Sequence, residues 1–204
     1  MSRYIGPRVK KMRALGLALP GLSRKTMQKR PFPPGQHGQR RRGRRSDYGT
    51  QLIEKQKLRY NYGLGERQLR RLMKEARRSK AATGDKLAEL VERRLDNVLF
   101  RAGFAPTIPA ARQLVNHAHF VVNGKKVNIP SFRVKVGDEI SLRERSRELK
   151  VIDASIGQPS LSIPDWMEID STRKVARIRA LPTPESIPFD VDLQAVVEYY
   201  SKRM

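Results

Sequence analysis

PAARQLVNHAHFVVNGKKV, residues 109–127, holds two structural periods in one short stretch. In its first half Ile108, Ala111 and Val115 recur at i, i+3 and i+7 with Leu114 beside them. Arg112, Gln113, Asn116 and His117 fall on other faces, which predicts a helix. Thr107 is placed to cap that helix, and Pro109 falls in its first turn, where a missing N–H costs little. In the second half, Phe120-Val121-Val122 and Lys125-Lys126-Val127 flank Asn123-Gly124, the pair that best tolerates the positive φ angles of a tight hairpin turn. A short helix bearing Arg and Gln therefore runs directly into a small hairpin with Lys125 and Lys126 at its tip. The unit is too small to enclose a catalytic cleft, but it can present cations and amides to a phosphate backbone. From these residues alone, that reading and an ordinary αββ piece of a core stand level.

The whole chain leans toward the first of the two. Its 204 residues hold 43 Lys+Arg against 20 Asp+Glu, a formal net charge of +23, and its isoelectric point is near 11.0. Such an excess repels itself in a folded state, so a polyanion is the expected partner, nucleic acid first and an anionic membrane surface second. No apolar run approaches the ~20 residues that cross a bilayer, and residues 1–13 lack the apolar centre of a secretory signal. The absence of cysteine excludes disulfides, thiol nucleophiles and cysteine-ligated zinc, and is compatible with a reducing compartment. The charge is also uneven. Residues 1–45 hold 14 Lys+Arg and no acid, residues 46–90 hold 11 against 6, residues 91–150 hold 12 against 6, and residues 151–204 hold 6 against 8. The polyanion is therefore expected against the first three quarters of the chain, the last quarter being given to packing.

Residues 1–45 combine Gly, Pro and Arg with scattered leucines, a composition that buries too little to fold firmly alone. An extended basic arm ordered by its partner is expected; an organelle transit peptide ranks behind it, because Pro and Gly spoil the amphipathic helix such a peptide needs. Gln36 and His37 lie in a Pro- and Gly-rich loop followed by Arg40, Arg41, Arg42, Arg44 and Arg45. Glycines there let the backbone approach phosphates, and each guanidinium can take a phosphate or stack on a base. The plain alternative is a solvated linker. Ser46 or Asp47 caps a helix to about Tyr60, with Leu52, Ile53, Gln56 and Lys57 near one face. A second helix, about residues 66–79, has Leu69, Leu72, Met73 and Ala76 on one face and Arg67, Arg70, Arg71, Lys74, Arg77 and Arg78 on the others. Tyr60 and Tyr62 could stack on unpaired bases, though tyrosines beside a helix end are more often packing residues. A third helical pattern opens after Thr83-Gly84-Asp85, breaks near Arg93-Arg94, where one domain hands over to the next, and ends with Gly103 at C′.

Beyond residue 127, Phe132, Val134 and Val136 alternate with Arg133 and Lys135 and predict a strand. Ile140 and Leu142 predict another after the turn Gly137-Asp138, so residues 94–143 read as helices against a small mixed sheet. Residues 143–156 form a charged, helical crossing. Two more strands are expected, at residues 165–169 and 175–178, around Ser171-Thr172. A Pro-rich segment and an apolar, acidic end follow.

Several strings, taken in order, resemble the family of bacterial-type small-subunit ribosomal protein S-four. They are Ser2-Arg3-Tyr4-Ile5-Gly6-Pro7-Arg8, Pro34-Gly35-Gln36-His37-Gly38, Ser46-Asp47-Tyr48-Gly49, Glu54-Lys55-Gln56-Lys57 with Tyr62-Gly63, Arg94-Leu95-Asp96-Asn97-Val98, the RNA-binding signature Ala111-Arg112-Gln113-Leu114-Val115-Asn116-His117 with Val122-Asn123-Gly124, and Val197-Glu198-Tyr199-Tyr200-Ser201. The resemblance spans essentially the whole chain. It implies an α+β protein: an extended basic arm (residues 1–45), a helical rRNA-binding domain (46–93) closed by the tail (186–204), and a small S-four RNA-binding αβ domain with a following β-hairpin (94–185). It also implies early binding to a multi-helix junction in the 5′ domain of small-subunit rRNA. Proximity to ribosomal protein S-five and to mRNA where it enters the subunit, an influence on decoding accuracy and, in some bacteria, repression of its own operon mRNA are implied too. Some relatives carry a cysteine-ligated zinc in the arm; without cysteine, this chain is expected to have no metal there and an arm held by RNA instead. The compartment implied is cytoplasm first, plastid stroma second.

Two other classes fit the chain less well. Arg94-Leu95-Asp96 echoes the string around a pseudouridine synthase nucleophile, but an Asp at a helix start more commonly caps it or pairs with Arg93 or Arg94, and flipping a base needs a deep pocket. No phosphate loop, paired-carboxylate site or metal constellation is present, so no enzyme and no cofactor is expected. His117 and His119, two apart across a helix end, are not expected to share a face or a metal. A non-specific basic nucleic-acid binder, including a DNA-architectural protein, fits the charge but not the strings. The expected mechanism is positioning by many phosphate contacts with little base reading. The expected contacts are Arg3, Arg8, Lys10 and Lys11 in the arm; Gln36, His37, Arg40, Arg41, Arg42, Arg44 and Arg45 in the loop; Lys55, Lys57, Arg59, Arg70 and Arg71 on the helices; and Arg112, Gln113, His117, Asn123 and Lys125 in the second domain.

Overall fold

The structure, a computed structural model, describes residues 4–39 and 45–203. Backbone contacts divide the chain into two units, residues 1–88 with 187–204 and residues 89–186, the division falling inside one helix.

Unit 1 is helical. Among its described residues are α1 (Arg8–Leu15), α2 (Asp47–Asn61), α3 (Glu66–Arg78), the first part of α4 (Thr83–Glu92) and the C-terminal α8 (Leu193–Ser201). Ser46 accepts from the Gly49 N–H and starts α2, while Gln68 reaches back to the N–H of Gly65 at the start of α3. The arm is not extended throughout. Residues 8–15 are helical, and Met12, Leu19 and Leu22 form a buried cluster against which Val9, Leu15, Tyr60 and Phe189 pack. The Gly21 N–H donates to the Asn61 side chain at 2.9 Å, and Arg13 donates to the Phe32 carbonyl at 2.9 Å. Individually weak leucines suffice because α2 and the tail supply the apolar surface they lack on their own.

The buried face of α2 is also not the one expected. Gln51, Glu54, Lys55, Lys57, Leu58 and Asn61 are buried, whereas Leu52 and Ile53 are only half-buried. Polar residues tolerate that burial because α8 and the segment before it pair them. Gln51 donates to Glu198 at 2.9 Å, Glu54 accepts from the Asp192 N–H at 2.9 Å, and Lys57 donates to the Asp190 carbonyl at 3.2 Å.

Unit 2 comprises the end of α4, α5 (Leu95–Arg101), α6 (Ile108–Asn116), α7 (Lys150–Gly157) and strands β1 (Phe120–Val122), β2 (Lys125–Lys126), β3 (Glu139–Leu142), β4 (Met167–Asp170) and β5 (Val175–Ile178). α4 and α5 break at Arg94, which is extended, and Gly103 takes φ +77° just past α5, as the sequence predicts. The five strands form one sheet in the order β2-β1-β3-β5-β4, every pairing antiparallel, not mixed. The late hairpin β4–β5 thus joins this sheet through β3, with Ile140 opposite Ala176. Phe120, Val122, Ile140, Leu142, Ala176 and Ile178 are buried. On the opposite face Glu139, Arg177, Glu168 and Arg179 pair across strands, at 2.9 Å for Arg177–Glu139 and 2.7 Å for Arg179–Glu168.

The predicted strand at Phe132, Val134 and Val136 does not form. Only an isolated bridge joins Arg133 to Arg94; the Phe132 carbonyl accepts from Leu95 at 2.8 Å and the Val134 N–H donates to Arg93 at 3.0 Å. Those two hydrogen bonds close the α4–α5 break instead of building a ladder.

The β1–β2 turn is of the expected kind, with Asn123 at φ +49° and Gly124 at φ +73°. No atom lies within 4 Å of where a Gly124 side chain would begin, so the cost of a substitution there is conformational. Gly124→Val is expected to destabilise unit 2 by about 1–3 kcal/mol, read from urea unfolding followed by Trp166 fluorescence; an unchanged midpoint would contradict the turn assignment.

Candidate RNA interface

The cations sort into two classes, those spent inside the fold and those left at the surface. α3 supplies the clearest surface group. Leu69, Leu72, Met73 and Ala76 are buried, so Arg67, Arg70, Arg71, Lys74, Arg77 and Arg78 are all exposed. Helical spacing forces this, since the apolar stripe leaves the remaining positions to solvent. Arg70 and Arg71 were expected contacts; Arg67, Lys74, Arg77 and Arg78 are equally presented.

The arm is more varied. Arg8 and Lys10 are exposed, whereas the Lys11 ammonium lies 5.4 Å and 5.2 Å from the ring centres of Tyr4 and Tyr60. Gln36 and His37 are exposed on a turn closed by Gly38 N–H to Gly35 carbonyl at 3.2 Å, and Arg45 is exposed. Arg3, Arg40, Arg41, Arg42 and Arg44 lie outside the described residues. Arg59 is half-buried, donating to Gln56 at 3.4 Å. Tyr62 is fully buried and Tyr60 packs edge-on to Tyr4, so both serve packing.

Lys55 and Lys57 are corrected. Lys55 pairs with Glu66 at 2.8 Å and Lys57 with Glu54 at 2.7 Å, both lysines at under a tenth exposure. A buried ammonium that lost its carboxylate would be costly, so neither is available to a phosphate. Glu66 also accepts from the Tyr200 hydroxyl at 2.7 Å. Burial works to raise the Glu66 carboxyl, but the hydrogen bonds from Lys55 and Tyr200 and the charges of Lys55 and Arg59 outweigh it and hold the group below its ordinary 4.5. Burial, then Glu66, pushes the Tyr200 hydroxyl well above the usual phenol range. A lowered folded-state value gives a contribution present in full above 4.5 and lost as pH falls through the lowered value. Glu66→Gln is accordingly expected to flatten the loss of urea midpoint below pH 4.5; profiles parallel to wild type would disprove the linkage.

In unit 2, α6 runs into the hairpin as the sequence indicates. Thr107 caps it by accepting from the Ala110 N–H at 3.4 Å. Gln113, Asn116, His117, Lys125 and Lys126 are exposed. Arg112 differs from expectation, since its guanidinium pairs with Asp96 at 2.6 Å, and Asp96, wholly buried, also holds Arg94 at 2.7 Å. The Asn123 side chain is likewise spent on structure, accepting from the Glu139 N–H at 2.9 Å and donating to Asp138 at 2.8 Å. The two histidines come together after all. Ala118 takes φ +57°, and the rings of His117 and His119 stack 6.0 Å apart. Burial lowers His119 below its ordinary value, with the charges of His117 and Arg143 adding to the effect. No group of three or more metal-ligating side chains occurs among the described residues, and none of their helices is long and apolar enough to cross a membrane.

What these features define is a class: a protein that offers exposed cations on a helical unit and a helix–hairpin of the S4 type on an αβ unit, with Asp96, the residue of the synthase-like string, sealed in an ion-paired core. Residues 3–92 match the ribosomal protein S4/S9 N-terminal domain and residues 93–140 match the S4 domain. The chain is 58% identical over its full length, and theirs, to small ribosomal subunit protein uS4 of Methylobacillus flagellatus and to uS4B of Nitrosomonas europaea. It is 50% identical, again over full lengths, to uS4 of Crocosphaera subtropica. The chain belongs to the uS4 family of small-ribosomal-subunit proteins. It is a structural ribosomal protein with an RNA-binding S4 domain, and not an enzyme.

Proposed function

We propose that the protein is a primary rRNA binder that nucleates small-subunit assembly on a multi-helix junction in the 5′ domain of small-subunit rRNA. Supporting this reading above all is α3, which holds six exposed cations on one short helix whose apolar stripe is fully used in packing. Arg70 and Arg71, with Arg8, Lys10, Gln36, His37 and Arg45, position the backbone in unit 1; Gln113, His117 and Lys125 act in unit 2. Arg3, Arg40, Arg41, Arg42 and Arg44 extend the same charge. Phosphate contacts set the affinity, and the shape of the folded RNA sets the preference. The same reading places ribosomal protein S-five beside it and mRNA nearby where it enters the subunit, gives it an influence on decoding accuracy, adds its own operon mRNA as a second target, and locates it on cytoplasmic ribosomes.

The test is binding to a 5′-domain transcript at rising salt, beside scrambled RNA and duplex DNA. A preference for the folded transcript that survives moderate salt is the expected result; equal affinity for all three would reduce the protein to a non-specific polyanion binder. Arg70→Gln with Arg71→Gln should shallow the log–log salt slope by roughly 0.7–0.9 per phosphate contact removed. An unchanged slope would take α3 out of the interface.

A further inference from the structure

One cavity of unit 1 is lined by residues of the arm and by none of α3. It measures about 480 Å³, within the range of roughly 300–1,000 Å³ common for small-ligand pockets. Its walls differ in kind. Val9 and Met27 line it and also pack on the Met12–Leu19–Leu22 cluster, so an apolar floor is fixed to the core. The Arg30 N–H donates to the Met27 carbonyl at 3.0 Å and closes the turn of one wall. Lys25, Lys29 and Arg30 line it too and are exposed, and residues 1–45 contain no acid to neutralise them. Arg13 is a fixed positive wall, its Nε donating to the Phe32 carbonyl at 2.9 Å and its guanidinium 5.2 Å from the Phe32 ring centre.

A bare phosphate would satisfy the cations and leave the floor unused. An apolar side chain would do the reverse. A nucleotide carries both halves, a flat base and an anionic phosphate joined by a sugar. We infer that this cavity receives one unstacked nucleotide of RNA, its base on Val9 and Met27 and its phosphate among Lys25, Lys29 and Arg30. The inference rests on the RNA-binding function proposed above and names a site within it.

The test uses the full chain and two RNAs, the 5′-domain transcript and a scrambled single strand. Thr26→Leu fills the cavity with an aliphatic side chain from an exposed position without changing charge or adding a stacking ring, and is expected to weaken binding on the order of tenfold, the scale of one lost base contact, with the salt slope unchanged. Lys29→Gln with Arg30→Gln should weaken binding and shallow the slope by roughly 0.7, one single-strand phosphate. If Thr26→Leu lowers the melting midpoint of the free protein, Thr26→Met, which fills the same space and leaves Met27 on the core cluster, is read in its place with the same expectation. Wild-type affinity in the variant so chosen overturns the inference, even if the charge variant flattens the slope, because the rim would then be an ordinary surface contact. Wild-type protein that shows no preference for the folded transcript overturns the assembly function instead, and the variant ratio on scrambled RNA still decides the cavity.

Discussion

Asp96→Ala is expected to destabilise unit 2 by about 3–5 kcal/mol, the cost of removing one partner from a buried ion pair. Asp96 is wholly buried and holds two guanidiniums, Arg94 at 2.7 Å and Arg112 at 2.6 Å, while its Oδ1 accepts from the Asn97 N–H at 3.0 Å. The side chains of Arg94 and Arg112 are only 7% and 16% exposed, so neither charge can turn to water cheaply. The loss would therefore fall on the α4–α5 break and on the placement of α6, from which Gln113 projects and just past which His117 lies. Trp166 is the only tryptophan, lies in unit 2 and is buried, which makes its fluorescence a local probe of urea unfolding. A wild-type midpoint would mean that the arginines are stabilised by something other than this carboxylate. Asp96→Asn should recover part of the loss through the retained hydrogen bonds, without the charge.

Ending the chain before residue 191 is expected to abolish stable folding of unit 1. α8 buries Val196, Tyr199 and Tyr200, and each such side chain is worth about 1.5–3 kcal/mol against a total stability of about 5–15 kcal/mol. Apolar loss is only part of it. Glu54 would lose the Asp192 N–H, Gln51 would lose Glu198, and the Lys55–Glu66 pair would lose the Tyr200 hydroxyl and the Tyr199 ring, whose centre is 4.9 Å from the ammonium. Circular dichroism should show a fall in helix content beyond α8 itself, and trypsin should cut α2 and α3 rapidly. Retention of helix content and protease resistance would show that the tail only decorates unit 1.

Much of the scaffold is legible in the chain because its signals are local. Helices α3 and α6 follow from apolar spacing, and the starts of α2 and α6 from Ser46 and Thr107, each within a few residues of what it caps. The β1–β2 turn follows from the conformational tolerance of Asn123-Gly124, and the class of partner from net charge. The arm was less legible, because the cluster of Met12, Leu19 and Leu22 is completed by Tyr60 and Phe189, far along the chain. Alternation at Phe132, Val134 and Val136 predicted a strand because pattern cannot say where a backbone's hydrogen bonds go.

What the sequence by itself determined is the α+β class, the helix–hairpin of the S4 type and a nucleic-acid-facing chemistry. Tertiary structure alone decided which cations remain available. Lys55, Lys57 and Arg112 look like surface charges in a linear reading, yet each is paired inside the fold, whereas the cations of α3 are left outside. The carboxylates that pair with Lys55, Lys57 and Arg112 lie only 11, 3 and 16 residues away, but the contacts that bury Glu66 and Glu54 are remote. Glu54 meets Asp192 across 138 residues and Tyr200 meets Glu66 across 134; desolvation and pairing at such sites depend on neighbours that no local pattern encodes.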